Sequence, residues 1–211
     1  MVESNIILPY KPRLVSEEGN KGVYEIDNLY PGYGQTLGNS LRRIILSSLS
    51  GAAITSLKID GVDHEFAVMD GVKEDVLNII LNLKRIRFKL LTDEPQVVNL
   101  KWKGVGTVKA SDIEVSGQVE ILSPDQYICE ATDKKTELNM EIYVQKGLGY
   151  VSKEDIQKEK MSVGHIALDA VFTPIRRVSY EVENMRVGDS TNYNRLRIAV
   201  ETDGTYTARE A

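Results

Sequence analysis

The stretch Tyr30–Ser50, YPGYGQTLGNSLRRIILSSLS, constrains the fold of this chain more than any other stretch. Pro31, Gly32 and Gly34 are turn formers, so they end the segment that precedes them. The apolar residues that follow recur at helical spacing and predict an amphipathic helix. Thr36 is the predicted N-cap, because its hydroxyl can accept a hydrogen bond from an unpaired N–H of the first turn. Such a helix must bury one face against a core or a partner.

The predicted helix has two different faces, since each residue advances by about 100°. Its apolar face comprises Leu37, Leu41, Ile44, Ile45 and Ser48. Leu46 points away from that face, and Asn39, Arg42 and Arg43 flank it. An apolar residue among arginines is typical of a protein-binding patch, because arginine offers both a guanidinium and an apolar stem. The alternative is a surface helix with one stray leucine, since scattered exposed apolar residues are normal.

The composition of the chain excludes several classes of protein. With 211 residues, 42% of them hydrophobic, the chain can form one large or two small domains with proper cores. The net charge of −5 argues against broad phosphate binding by a basic surface. The single cysteine rules out an intramolecular disulfide and fits a reducing compartment. We find neither a secretory signal nor an apolar run of membrane-spanning length, and therefore expect a soluble, cytoplasmic protein.

The rest of the chain predicts one further helix and many short strands. Asp70 is the predicted N-cap of the second helix, which ends in the basic residues Lys84, Arg85 and Arg87. Apolar–polar alternation between turn residues predicts antiparallel strands at Val23–Tyr30, Ala52–Ile59, Val97–Trp102, Val105–Lys109, Val119–Ile121, Tyr127–Ala131, Leu138–Val144, Ile166–Phe172, Ile175–Val182 and Leu196–Thr202. The polar segment Ser152–Met161 predicts a mobile surface segment or a short helix.

No catalytic constellation stands out. The glycine pairs lack the third glycine of a dinucleotide fingerprint, and two histidines with one cysteine are too few for a typical zinc site. A small hydrolase or metal enzyme built on Asp63, His64 and Glu65 is an open alternative, as is a DNA-binding or other protein-interaction module. Both predicted helices carry more apolar surface than a small monomer needs. The favoured hypothesis is an assembly protein without cofactor or metal.

Residues 34–48, GQTLGNSLRRIILSS, closely resemble the signature helix of the bacterial DNA-directed RNA polymerase α-subunit family. The resemblance continues through IDGV at 59–62, GVKED at 71–75 and DAVFTPI at 169–175. It covers nearly the whole chain in the family's order. We therefore regard it as specific.

The resemblance implies an α+β fold in two domains. One is a discontinuous dimerisation and assembly domain, residues 1–50 and 171–211, and the other is an inserted, mainly antiparallel β domain, residues 51–170. It implies a homodimer that binds the β and β′ subunits, in which catalysis belongs to β and β′. DNA would be reached only indirectly through the complex, and no membrane is involved.

The resemblance also assigns residues to contacts. The expected contact with β comprises Asn39, Arg42, Arg43, Leu46 and Lys84. The expected dimer contact comprises Tyr33, Leu37, Leu41 and Ile44. The expected β′ side comprises Arg177 and Tyr180 in the region Arg177–Tyr180, and Arg186 and Arg195 in the loop Arg186–Arg195.

The chain departs from the family pattern at several positions. Gln35 replaces a histidine, Ser50 a proline and Leu148 an arginine. Asn192 and Asn194 replace aspartates, which weakens any charge pairing expected on the β′ side. The family's chain continues into a dimerisation helix, a linker and a C-terminal domain. We expect the present sequence to be a portion of such a chain that dimerises weakly by itself.

Overall fold

The structure, a computed structural model, describes residues 8–158 and 164–211. Its helices are α1 (Tyr33–Ser48), α2 (Val76–Leu83) and α3 (Lys153–Lys158), and Ala110–Asp112 form a 3₁₀ turn. Its strands are β1 (Arg13–Glu18), β2 (Lys21–Leu29), β3 (Ser50–Ile59), β4 (Phe88–Leu90), β5 (Gln96–Lys103), β6 (Gly106–Lys109), β7 (Ile113–Glu114), β8 (Val119–Ile121), β9 (Tyr127–Ala131), β10 (Glu137–Leu148), β11 (Tyr150–Val151), β12 (Ile166–Ala167), β13 (Ala170–Val171), β14 (Ile175–Val187) and β15 (Ser190–Thr202). The paired strands are antiparallel, so the predicted α+β class with mainly antiparallel sheets is confirmed.

The chain divides into two compact units. The first runs up to Leu49 and resumes over Thr173–Ala211, and the second is Ser50–Phe172. The assignment of the first unit to dimerisation and assembly stays a prediction.

The first unit is a four-stranded sheet with α1 packed on one face. Its strand order is β1-β2-β15-β14, and β14 and β15 form a long hairpin. Directly opposed residues share a face, so Val178 with Val200 and Val182 with Leu196 lie on the side that α1 covers. These side chains form the core of the unit together with Ile26, Leu29, Ile175 and Ile198. The amphipathic helix α1 thus buries its apolar face against the apolar face of this sheet.

The opposite face of this sheet carries ion pairs between neighbouring strands. Glu25 is only 4% exposed and accepts hydrogen bonds from Arg197 Nη2 and Arg13 Nη2, each at 2.6 Å. Asp27 pairs with Arg195 at 2.6 Å. The guanidinium of Arg197, followed by that of Arg13, holds the pKa of the Glu25 carboxyl below its usual range. These pairs join β1, β2 and β15 on the polar side.

Replacing Glu25 by glutamine should destabilise the first unit by roughly 1–3 kcal/mol at neutral pH, because charge-assisted hydrogen bonds are lost. A carboxyl whose pKa is lowered by folding stabilises the protein above its unfolded pKa, and this contribution disappears as the pH falls through the folded pKa. The free energies of unfolding of wild type and Glu25→Gln should therefore converge as the pH falls below about 4.3. Denaturant unfolding at a series of pH values measures the difference.

The matched control is Glu183→Gln. The carboxylate of Glu183 is half exposed and lies 3.4 Å from Arg197 Nη1, so its replacement should change stability little at any pH. A stability difference between wild type and Glu25→Gln that stays constant down to pH 3 would contradict the role of this carboxylate.

The second unit is built around a five-stranded sheet of order β12-β3-β10-β5-β7, with two-stranded pairs β4–β8, β6–β9 and β11–β13. Its core includes the buried side of α2, Val76, Ile79, Ile80 and Leu83. Cys129 lies in this core, where burial raises the pKa of the thiol to about 12. A thiol with such a pKa stays protonated at neutral pH and acts as a small apolar residue.

The predicted start of α2 is wrong. The helix begins at Val76, and the Asp75 carboxylate caps it by accepting a hydrogen bond from Asn78 N at 2.8 Å. Asp70 lies outside the helix, because Gly71 adopts a φ of 77°, a left-handed conformation that interrupts any helix from Asp70. An aspartate does cap the helix, as predicted, but it is Asp75 and not Asp70.

Most of the other predicted segments also have different bounds, and the strands predicted at Ile175–Val182 and Leu196–Thr202 are the longer strands β14 and β15. The segment Ile166–Phe172 is not one strand but the two short strands β12 and β13, which pair in different sheets. The strand predicted at Leu138–Val144 extends as β10 to Leu148. Within Ser152–Met161 the helix α3 is observed, and residues 159–161 lie outside the described residues.

Candidate functional site

Two glycines bring α1 against the sheet of the first unit. A Cβ on Gly34 would lie 2.6 Å from Val182 Cγ1, and a Cβ on Gly38 would lie 2.5 Å from Tyr180 Cδ2. The two positions are one helical turn apart and face the same way. The absence of side chains therefore lets the helix backbone approach β14 and β15 closely. Packing is completed by the partly buried residues Leu37, Leu41, Ile45 and Leu49.

The buried face of α1 is rotated by roughly 40° from the predicted face, counting about 100° per residue. Ile44 and Ser48, which we placed on the buried face, are exposed, and the exposed fraction of Ile44 is 56%. The predicted face was placed by the apolar side chains alone. The closest contacts of α1 with β14 and β15 are instead made at Gly34 and Gly38. Ile44 is consequently a surface residue of this chain.

The first turn of α1 is capped by a distant strand and not by Thr36. The helix begins at Tyr33 after Gly32, which has a φ of 86° and no side-chain oxygen to offer. Asn194 Oδ1 accepts hydrogen bonds from Gly32 N at 2.9 Å and from Gly34 N at 3.3 Å. Thr36 lies inside the helix and is exposed, so the predicted N-cap is wrong. Asn194 is buried next to the helix start.

The side of α1 that faces away from the sheet carries the predicted patch. Asn39, Arg42, Arg43 and Leu46 are all exposed. Arg43 lies about 180° around the helix from Gly34, directly opposite the sheet. Arg42 Nη2 donates to Asn39 Oδ1 at 3.4 Å, and neither arginine forms an ion pair with the described part of the chain. Both guanidinium groups can therefore meet a carboxylate of a partner.

The other flank of α1 is aromatic and aliphatic. Tyr33 and Ile44 are exposed there, and the Tyr33 ring packs edge-to-face on Tyr30 with ring centroids 6.1 Å apart. Tyr30 also packs on Tyr193, at 5.9 Å. Of the predicted dimer residues, Leu37 and Leu41 contribute to the core of the unit, whereas Tyr33 and Ile44 remain on the surface.

The residues predicted for the β′ side do not form one cluster. Tyr180 lies under α1, and its hydroxyl donates to Gln35 Oε1 at 3.3 Å. Arg177 and Arg195 lie on the opposite face of the sheet, because each is adjacent in sequence to a residue of the face that α1 covers, Val178 and Leu196.

The predicted loop Arg186–Arg195 is wrong. Strand β14 continues to Val187 and β15 begins at Ser190, so only residues 188 and 189 separate the two strands. Arg186 Nε donates to the Gly188 carbonyl at 2.8 Å beside this turn, and Arg195 is bound to Asp27. The Gly188-Asp189 pair, a two-residue hairpin turn signal, was the signal for this hairpin.

Lys84 belongs to the second unit. It is the half-buried C-cap residue of α2, and its backbone N–H donates to the Ile80 carbonyl at 3.0 Å. Leu77 and Leu81 are exposed one turn apart on the same helix. This helix thus presents apolar side chains to the surface in addition to its buried face.

The alternative hydrolase site is not assembled in the described part of the chain. Glu65 is bound by Lys153 Nζ, and this hydrogen bond holds the pKa of the Glu65 carboxyl below its usual range. Within residues 8–158 and 164–211, no three side chains of His, Cys, Asp or Glu gather as they would around a metal ion. No helix in these ranges is long and apolar enough to span a bilayer.

Residues 57–173, more than half of the chain, match the family model described as the RNA polymerase Rpb3/RpoA insert domain. A protein of Alkaliphilus metalliredigens named DNA-directed RNA polymerase subunit alpha is 49% identical to the chain over 197 residues. The chain belongs to the RNA polymerase α-subunit family. The family predicted from residues 34–48 is thereby confirmed.

Other α subunits show the same degree of similarity. Those of Symbiobacterium thermophilum and Roseiflexus castenholzii are 48% and 45% identical over 205 and 201 residues. The alignment covers 93% of this chain and 62% of the Alkaliphilus protein, and 95% of this chain with 65% and 61% of the other two. The chain therefore spans less than two thirds of the length of these α subunits.

Proposed function

We propose that this chain is the assembly region of a DNA-directed RNA polymerase α subunit. It has no active site of its own, forms a homodimer in the cytoplasm, and carries the β and β′ subunits, which perform catalysis. The observation that supports this most strongly is the exposure of two chemically different flanks on one helix, α1, in a chain of this family. DNA is reached only through the assembled complex, in keeping with the net charge of −5.

The β subunit binds the arginine flank of α1 in this proposal. The patch of Asn39, Arg42, Arg43 and Leu46 places two guanidinium groups, which form no ion pair with the described residues, around an exposed leucine. This is the composition of an interface centre. The complementary surface on β would offer carboxylates around an apolar pocket. Lys84 in the second unit is a separate candidate for contact with β.

The second protomer binds the aromatic flank of α1. Tyr33 and Ile44 are exposed on this flank, and Tyr30 and Tyr193 extend the apolar surface beside it. Aromatic residues are enriched in the buried centres of interfaces, since they bury a large area at low entropic cost. One helix would thus serve two partners on opposite flanks.

Fewer residues of this chain are available to contact the β′ subunit than the family resemblance implies. Arg195 is already bound to Asp27, and Tyr180 is packed under α1. Arg177 and Arg186 are exposed, so they are the better candidates for β′.

Co-expression with the β and β′ subunits tests the proposal. We expect affinity purification through the tagged chain to recover β, and β′ after it. Recovery of the folded chain without either large subunit would refute the proposed function.

A further inference from the structure

The side-chain amide of Asn194 joins the start of α1 to the β14–β15 hairpin. Its Oδ1 accepts from Gly32 N and Gly34 N, at 2.9 and 3.3 Å, and its Nδ2 donates to Asn184 Oδ1 at 3.2 Å. Asn184 and Asn194 oppose each other across the two strands. Asn194 is 6% exposed. A buried amide whose donor and acceptor are both engaged has a fixed orientation.

This contact determines where α1 begins. The first N–H groups of a helix have no partner within the helix, and Gly32 brings no capping side chain. A Cβ on Gly34 would lie 3.0 Å from Asn194 Cβ, so the helix start rests directly on this residue. A helix is a stiff rod, and a shift of its first turn is transmitted to Arg43, about 15 Å further along.

We infer, on the basis of the proposed function, that Asn194 is a positioning residue for the β-binding surface. It makes no contact with β itself and fixes the placement of α1 on which Arg43 and Leu46 depend. Without the amide, the first turn frays and the helix populates displaced positions. The apparent dissociation constant for β then equals the intrinsic one divided by the fraction of molecules that hold α1 in the competent position.

The test compares dissociation constants for purified β among four forms of the chain: wild type, Asn194→Ala, Asn194→Asp and Glu25→Gln. We expect Asn194→Ala to weaken binding about tenfold. Asn194→Asp should restore most of the affinity, because a carboxylate accepts the same two N–H bonds and is favoured at a helix N-terminus. The exposed Asn184 can turn its side-chain amide and donate to that carboxylate in place of accepting from Asn194. Glu25→Gln removes charge-assisted hydrogen bonds on the face of the sheet opposite α1, and should lower stability without changing the affinity.

Amide hydrogen exchange at Gly34 reports on the helix start independently of β. Exchange should be faster in Asn194→Ala and restored in Asn194→Asp. Faster exchange with an unchanged dissociation constant would overturn the positioning role and leave the proposed function intact. An equal loss of affinity in Glu25→Gln would do the same. Failure of the wild-type chain to bind β would instead remove the proposed function, and the positioning role with it.

Discussion

Arg43→Ala should strongly weaken the capture of β while the chain keeps its fold. Arg43 is exposed opposite the sheet and its side chain has no ion pair in the described residues, so its loss should change the free energy of unfolding by less than about 0.5 kcal/mol. At the centre of an interface, truncation of an arginine costs about 2 kcal/mol or more. This corresponds to a roughly 30-fold weaker dissociation constant. A pull-down with tagged chain, followed by a titration with purified β, measures it.

Arg176→Ala is the matched control. Arg176 is also an exposed arginine of the first unit, but it lies on β14, outside the proposed contact. Its replacement removes the same charge and should leave capture of β unchanged. Retained capture by Arg43→Ala, or an equal loss in Arg176→Ala, would count against the arginine flank of α1 as the β contact.

Gly38→Leu should destabilise the first unit by about 3 kcal/mol or more. The new Cβ would lie 2.5 Å from Tyr180 Cδ2 and 2.9 Å from Leu196 Cδ1, so α1 must move away from the sheet or the ring must leave its place. Because both exposed flanks belong to α1, binding of β and dimerisation should weaken together. Denaturant unfolding and sedimentation of the variant measure the two effects.

Two further variants separate a local clash from a general effect of the added leucine. Thr36→Leu places the same side chain at an exposed position of α1 and should change stability by less than about 0.5 kcal/mol. Adding Tyr180→Ala to Gly38→Leu should recover part of the stability, because the space of the ring can receive the leucine. A fully stable Gly38→Leu variant would show that the helix does not need its close approach to β14.

Local patterns in the sequence were sufficient for much of this fold. The strands Val119–Ile121 and Tyr127–Ala131 have the predicted bounds, since alternation and flanking turn residues determine them locally. The exposure of Arg43 and Leu46 also followed from helical periodicity alone. Their assignment to β came from the family resemblance, because no pattern within one chain identifies a partner.

Contacts between distant residues were not predictable from local patterns. The cap of α1 comes from Asn194, 162 positions from Gly32 in sequence, so no capping signal exists near the helix itself. The predicted buried face of α1 differs from the observed one for a related reason. Gly34 and Gly38 lie closest to the sheet, and glycine has no side chain that could contribute to a hydrophobic pattern. Glu25 likewise looked like the polar half of an ordinary alternating strand, although two arginines from neighbouring strands bury it.

Native mass spectrometry of the complex purified with β tests the central claim most directly. The proposed function predicts one β subunit carrying two copies of this chain, which adds twice 23.6 kDa to the mass of β, and a further increase by the mass of β′ when that subunit is present. A β subunit that carries a single copy would contradict the homodimer. A spectrum that shows β and the chain only as separate species would contradict the assembly function itself.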